Sequence, residues 1–445
     1  MDTVSKPDTI TLSIMGTQEK GDVCYRWFHY VLRQECNDGI LLYNILSCEL
    51  IYLAADEASV ESVTEELIKK WFLVPEDFED FSFARKVKRI RQLVYKADTH
   101  KKLMAPIDRF WILTTTECNA RCFYCHEAGI PKMSMSDKIA DDVLEYILKH
   151  GSTKIHIMWY GGEPLINMQI IDRISEGLLE HEIEFNSGMI SNGYAFDDES
   201  VQKAKTIWHL DEIQITLDGL ENTYNKVKDY IKKDDRSPFY VILDNIEALL
   251  QQEIYVKIRM NLDEYNIDEL FELTDLLLDR FSDYKNCTIY SAPLLEECLG
   301  TRYIRTDEKR HYVFQKHFEL NTRLNQCGKL TRSELATTMN SEMRCIALAN
   351  VRVIFPDGRF AYCHDYQKDI LEGDIYGNEP SVEQRWEYAR CIPENDKCVR
   401  CIRFPQCIRL EKCFNNKCND ELINEWGWTT RNEMMWAYEK KCRKK

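Results

Sequence analysis

Residues 110–129 read FWILTTTECNARCFYCHEAG. The first half, Phe110 to Thr115, is the aromatic and β-branched run of a buried strand. The second half sets Cys118, Cys122 and Cys125 within eight residues, with Tyr124 just before the last. Thiolates are soft donors that select zinc or iron–sulfur clusters. A zinc site would use Cys118, Cys122, Cys125 and His126. Structural zinc sites usually pair two short-spaced ligand couples, however, and His126 directly follows Cys125, which strains simultaneous ligation. Three close cysteines can instead hold three irons of a four-iron cluster and leave the fourth open to an exogenous molecule.

Outward from this stretch, short apolar runs alternate with helical periods. Strand-like segments are FWILTT, IHIMWYGG from Ile155, EFNSGMISNG from Glu184, EIQITLDG from Glu212, YVKIRMN from Tyr255 and CTIYSAP from Cys287. Between them lie amphipathic stretches such as SDKIADDVLEYILKH, NMQIIDRISEGLLEH, YVILDNIEALLQQ and IDELFELTDLLLDRF. This alternation predicts repeated parallel βα units. Six units are too few for a closed eight-fold barrel, so the expectation is an α/β fold built on an open partial (β/α)6 barrel. Functional groups then belong at the C-terminal ends of the strands. The cysteine stretch, GGEP, SNG and LDG each fall at such an end.

Residues 1–100 differ. RWFHYVLRQ and GILLYNILSCELIYLA read as paired strands around the turn ECNDG, followed by helical SVESVTEELIKKWF and FARKVKRIRQLVYKA. Strands followed by helices predict a small winged-helix-like α+β domain. The basic residues Arg85, Lys86, Lys88, Arg89 and Arg91 on the second helix are read as a solvated face.

The 445 residues include 44% hydrophobic and 30% charged side chains, enough for sizeable cores, and suggest about three domains. A net charge of -16 argues against nucleic acid and anionic membrane as partners. MDTVSKPDTI lacks the basic start and apolar run of a signal peptide, and GILLYNIL is too short to span a bilayer, so a cytoplasmic protein is expected. The 18 cysteines are the outlier. In a reducing compartment, clustered thiolates bind metal or do redox work rather than form staples. No cysteine lies between Cys125 and Cys287, whereas the segment from Cys345 onward is dense with them, which points to a separate cysteine-bearing module.

C-x3-C-x2-C with an aromatic before the third cysteine, followed in order by Gly161-Gly162-Glu163-Pro164, by Ser191-Asn192-Gly193 and by ITLDG from Ile215 to Gly219, resembles the radical S-adenosylmethionine enzymes. The resemblance runs from about residue 108 to the end of the chain. It implies a [4Fe-4S] cluster on Cys118, Cys122 and Cys125 whose open iron binds S-adenosylmethionine. It further implies that Gly161 and Gly162 let the backbone approach the methionyl ammonium, with Glu163 a complementary anion and Pro164 completing the turn. By the same resemblance Tyr124 is the residue near the adenine, Thr216 takes the place of a serine that contacts the nucleoside, and Ser191 and Asn192 count among the cofactor-binding residues. Lys228 stands where many relatives place an arginine for the carboxylate; the bland alternative is an exposed helix lysine.

Farther on, Cys345, Gly358 and Cys363 form C-x12-G-x4-C, and Cys398, Cys401 and Cys407 form C-x2-C-x5-C. This resembles the SPASM extension, which implies two auxiliary [4Fe-4S] clusters. By analogy Cys345, Cys363 and Cys413 serve one, with Cys327 a further candidate. Cys398, Cys401, Cys407 and either Cys418 or Cys442 serve the other. Cys24, Cys36 and Cys48 read as small hydrophobes.

The expected domains are therefore 1–100, resembling the recognition element that adds a leader peptide to its sheet edge; 105–310, the partial barrel; and 311–445, the cysteine-rich iron–sulfur domain. The resemblance implies a peptide maturase in which a 5′-deoxyadenosyl radical abstracts hydrogen from a ribosomally made precursor peptide and a thioether or carbon–carbon crosslink forms. A reductant such as flavodoxin or ferredoxin is the implied electron donor. One alternative is a sulfatase-maturing enzyme making formylglycine, with Asp365 in CHDY as base. Another, of a different class, is a non-catalytic iron–sulfur or zinc protein.

Overall fold

The computed structural model describes residues 9–10, 23–36, 39–54, 60–125, 127–231, 235–294, 306–330, 349–361, 363, 371–388, 396–407 and 420–443. The N-terminal strands are β1 (Thr9–Ile10), β2 (Tyr25–Trp27), β3 (Val31–Cys36), β4 (Gly39–Asn44) and β5 (Glu49–Ala54). Helix α1 (Val60–Lys69), β6 (Leu73–Pro75) and α2 (Asp80–Leu103) follow. Two three-stranded sheets result, ordered β1-β2-β6 and β3-β4-β5.

The stretch RWFHYVLRQ thus forms two strands, not one. Asp80 makes the break: its carboxylate accepts the His29 amide at 3.0 Å and takes the Arg26 guanidinium at 2.7 and 3.1 Å. GILLYNILSCELIYLA is likewise divided. Asn44 accepts the amides of Leu46 and Ser47 at 2.9 and 3.2 Å, and Cys48 turns the chain with φ 62°. A polar side chain that bonds the backbone just after it makes a turn that apolar patterning does not announce.

The central region follows the predicted alternation. Strands β7 (Ile107–Thr115), β8 (Gly151–Gly161), β9 (Glu184–Ser191), β10 (Leu210–Thr216), β11 (Tyr255–Leu262) and β12 (Cys287–Pro293) pair in parallel, each beside the one before. The intervening helices are α3 (Asp137–His150), α4 (Met168–Glu180), α5 (Asp198–Thr206), α6 (Glu221–Lys228), α7 (Pro238–Gln251) and α8 (Ile267–Phe281). One continuous core joins strand residues such as Ile157, Trp159, Ile213 and Ile258 to helix residues such as Ile170, Ile174, Ile246 and Leu273, all fully buried. Helix α9 (Asp307–Gln326) adds Val313, Leu320 and Leu324 to this core.

Beyond α9 the sheet continues. Strand β13 (Val351–Ile354) pairs in parallel with β7, and β14 (Arg359–Ala361) and β15 (Leu371–Asp374) extend it antiparallel. The result is a nine-stranded mixed α/β sheet with the six parallel strands at one side. Gly358, at φ 83°, makes the turn between β13 and β14, as the C-x12-G-x4-C spacing suggests.

Helices α10 (Val382–Tyr388), α11 (Asp396–Arg400) and α12 (Asp420–Arg443) complete the chain. The described residues pack as two compact units: one holds those before 99 and after 389, the other those between. The segment from 311 is therefore shared. Its first part prolongs the barrel sheet, and its last part joins the N-terminal strands. In that unit, Tyr30 donates to the Val399 carbonyl at 2.5 Å, Gln406 donates to Tyr43 and the Ile45 carbonyl at 2.9 and 3.1 Å, and Val399, Phe404 and Met434 share a core with Phe28 and Tyr30. Among the described residues no helix is long and apolar enough to cross a membrane.

Candidate active site

Every strand from β7 to β11 ends in a polar turn, and these turns meet. The cysteine loop leaves β7 and is tied down by backbone: Arg121 N–H donates to the Lys228 carbonyl and Ile231 N–H to the Asn119 carbonyl, both at 2.8 Å. Cys118, Cys122 and Cys125 are half-buried. Burial pushes the Cys118 thiol up to about 12 and the Cys125 thiol up to about 11, and it raises Cys122 as well; the charges of neighbouring cysteines add to the rise at Cys118 and Cys125. Thiols in that state hold their protons until a metal displaces them.

Gly161 and Gly162 end β8 in close contact with this loop. Gly161 has φ 126°, and a Cβ there would lie 2.2 Å from the Thr115 carbonyl oxygen; one on Gly162 would lie 2.3 Å from that of Glu117. The cradle therefore requires residues without a side chain. Glu163 and Pro164 then open a short 3₁₀ turn, Pro164–Asn167, in which proline supplies a preset φ and Glu163 caps the turn by accepting Leu165 N–H at 3.1 Å. The same carboxylate accepts Ser191 Oγ–H at 2.8 Å and Asn192 N–H at 2.7 Å. It is fully buried, and burial lifts it to about 7 against the pull of those three donors. Glu163 thus clasps the end of β8 to the end of β9. Asn192 reaches onward to Asn119 Oδ1 at 2.7 Å, which ties β9 to the cysteine loop.

Lys228 is not an exposed helix lysine. It is 2% exposed, and its ammonium meets Asp218 Oδ2 at 2.8 Å, Tyr124 Oη at 2.8 Å and Thr216 Oγ1 at 2.6 Å. Burial alone would pull this ammonium's pKa down; the Asp218 carboxylate, helped by the Tyr124 oxygen, outweighs it and holds the group well above its ordinary value. Tyr124 also donates to Asp218 Oδ2, and Asp218 Oδ1 accepts Asn261 N–H at 3.1 Å. Tyr124, Thr216 and Lys228 are thereby brought into one network centred on Asp218.

Asp218 is absent from the residues singled out in the sequence, although it lies in ITLDG two positions after Thr216, on the same side of an extended chain. Asn119, Glu127 and Tyr265 likewise carry no sequence signal of their place in the site. Phe123 and Tyr265, 47% and 41% exposed, pair edge to face at 5.3 Å. Of the remaining candidates, Cys363, Cys398, Cys401 and Cys407 are half-buried and Cys327 is exposed beyond α9. His126, Asp365, Cys345, Cys413 and Cys418 lie outside the described residues, as does the side chain of Cys442.

Residues 112–277 match the Radical SAM superfamily. This part of the chain is a Radical SAM domain. It coincides with the strands and turns just described and implies an enzyme using S-adenosylmethionine and a [4Fe-4S] cluster. The three-thiol loop and the glycine cradle fit that pair of groups: soft donors on one side, close backbone approach on the other.

Among curated proteins, the GTP 3′,8-cyclase of Clostridium perfringens strain 13 is 29% identical over 183 residues, 40% of this chain and 54% of that protein. The chain thus spans about half the length of that relative. A probable GTP 3′,8-cyclase of Thermococcus kodakarensis is 22% identical over 284 residues, covering 60% of this chain and 88% of that protein. Among solved structures, native anSMEcpe with bound AdoMet superposes with a TM-score of 0.56 at 14% identity, over 75% of this chain and 97% of that one. Streptococcus suis SuiB bound to precursor peptide SuiA gives 0.51 at 14% identity, over 88% and 95%. At such identities these likenesses establish the fold.

Proposed function

We propose that the protein is a radical SAM peptide maturase that abstracts hydrogen from a precursor peptide and installs a thioether or carbon–carbon crosslink. The carrying observation is the extent of the fold: SuiB, solved with its precursor peptide, is matched over 88% of this chain, well beyond the Radical SAM domain alone. The N-terminal sheets are the proposed leader-binding element, through strand addition. Cys345, Cys363, Cys398, Cys401, Cys407, Cys413 and Cys418 are the proposed ligands of two auxiliary clusters, and a flavodoxin or ferredoxin the proposed electron donor. The cluster on Cys118, Cys122 and Cys125, with S-adenosylmethionine, supplies hydrogen abstraction from unactivated carbon. This chain's residues hold the geometry: Gly161 and Gly162 admit the cofactor, Glu163 fixes the cradle, and the Tyr124–Asp218–Lys228–Thr216 network sets the opposite wall. The exposed Phe123–Tyr265 pair suits apolar or aromatic peptide side chains.

A second reading is nucleotide cyclisation, favoured by the cyclase relatives. Against it, Glu127, Glu163, Asp218 and Asp263 lie buried in the turns after β7, β8, β10 and β11, and their negative field disfavours a triphosphate. The two separate in one anaerobic experiment with dithionite and S-adenosylmethionine. The reconstituted chain is offered either GTP or the product of any short open reading frame found beside its gene. Loss of two hydrogens from the peptide, with 5′-deoxyadenosine released, supports maturation; a cyclised nucleotide with an unaltered peptide sinks it. Replacing Cys118, Cys122 and Cys125 together by alanine removes about four irons per chain and ends the release.

A further inference from the structure

Glu127 stands one turn beyond Cys125, with Ala128 N–H on the Cys125 carbonyl at 3.1 Å and Ile130 N–H on its own carbonyl at 3.2 Å. The residue is 9% exposed, and neither carboxylate oxygen has a hydrogen-bond partner. Burial and the Glu163 carboxylate both raise the pKa of this carboxyl, and the Tyr160 side chain opposes them. A buried carboxylate with no donor is expensive, and native structures keep one where a ligand completes it. Its neighbour Glu163 offers no such opening, because Leu165, Ser191 and Asn192 already occupy its oxygens. The turns at this end of the barrel bury the carboxylates Glu127, Glu163, Asp218 and Asp263, and the buried ammonium of Lys228 is already engaged by Asp218 and Tyr124. The imbalance calls for positive charge, and Glu127 has both carboxylate oxygens open to receive it.

We infer that Glu127 is the acceptor for a cationic nitrogen, an alkylammonium or a guanidinium, on a molecule that occupies this site. The inference rests on the Radical SAM reading of the site, and two sources share the chemistry. One is the amino-acid end of S-adenosylmethionine. The other is a basic group on the substrate, a lysine, an arginine or a peptide amino terminus. A hydrogen-bonded ion pair of this kind adds orientation as well as affinity.

The test uses the full chain, reconstituted anaerobically, with Glu127→Gln and Glu127→Asp. Thermal midpoints are read without ligand, and S-adenosylmethionine affinity is read by equilibrium dialysis. Propylammonium and methylguanidinium serve as probes of the second source, through the shift in midpoint they cause. If the cofactor supplies the cation, Glu127→Gln weakens S-adenosylmethionine binding at least tenfold and Glu127→Asp recovers part of it. If the substrate supplies it, cofactor affinity is unchanged, and stabilisation of the wild type by one of the probes disappears in Glu127→Gln. In both cases the ligand-free Glu127→Gln protein melts no lower than the wild type, since an unsatisfied charge has been removed. The inference is overturned if Glu127→Gln binds cofactor and probes as the wild type does, or if its only effect is a lower midpoint. Wild-type chain that binds S-adenosylmethionine but leaves every peptide untouched would sink the maturase proposal and leave this measurement standing.

Discussion

Lys228→Met removes the one positive charge in the Tyr124–Asp218–Thr216 network while roughly keeping the side chain's volume. The ammonium and its partner carboxylate are 2% and 0% exposed, so water cannot replace either. Deleting one member of a buried pair leaves the other uncompensated and typically costs about 3–5 kcal/mol. The upper half of that range applies here, because the Thr216 hydroxyl and the Tyr124 hydroxyl lose a donor at the same time. Lys228→Met with Asp218→Asn removes the orphaned charge, and the Asn261 amide still has an oxygen to bond; the double variant should recover at least about 2 kcal/mol. Hydrogen exchange on peptides of β10 and α6 reads this region alone, which avoids treating a chain of two units as one transition. The reasoning fails if Lys228→Met lowers protection there by less than about 1 kcal/mol, or if the two substitutions are additive.

Gly161→Ala forces a Cβ to within 2.2 Å of the Thr115 carbonyl at φ 126°, and β7 and β8 pair at that point, so the strands cannot part to accommodate it. A loss of at least about 2 kcal/mol is expected, seen as reduced urea resistance and poor iron loading of the purified protein. His317 on α9 predicts a pH dependence. Burial pushes its imidazole down to about 4, with the ring nitrogens against Ser291 and Asn321. The unfolded chain binds the proton near pH 6.5, so stability is complete above that value and falls as the pH drops towards 4. Full burial would make the loss about 3 kcal/mol; part of the residue reaches solvent, so about 2 kcal/mol is the expected figure. His317→Gln should flatten the stability profile between pH 6.5 and 4, and an unchanged slope would remove His317 as its source.

The barrel was legible because its signals are local. Apolar runs such as Phe110 to Thr115 and amphipathic runs such as IDELFELTDLLLDRF declare their own state, and the turns that gather function carry unusual residues: clustered cysteines, paired glycines, LDG. The hidden part depends on partners far away in sequence. Nothing in VRVI announces that it pairs with β7, and nothing in CVRCIRF announces that Val399 and Phe404 complete a core with Phe28 and Tyr30. The basic residues of α2, read as solvated, include Lys88, which is 8% exposed with its ammonium 4.2 Å from the Phe404 ring. Asp218 and Glu127 escaped notice for a different reason. An acidic residue is ordinary in composition, and only burial makes it exceptional.

The bond from Tyr30 to the Val399 carbonyl joins residues 369 positions apart, and the surrounding core also needs Met434. At a ribosomal pace of about 5–20 residues per second, the first strands wait roughly 20–80 seconds after emerging before their covering residues exist. During that interval Phe28, Tyr30, Leu32 and Leu41 have no finished shelter, whereas the middle of the chain can complete its own packing. Synthesis thus delivers a settled centre flanked by an opening segment that must be shielded from association until the last helix arrives.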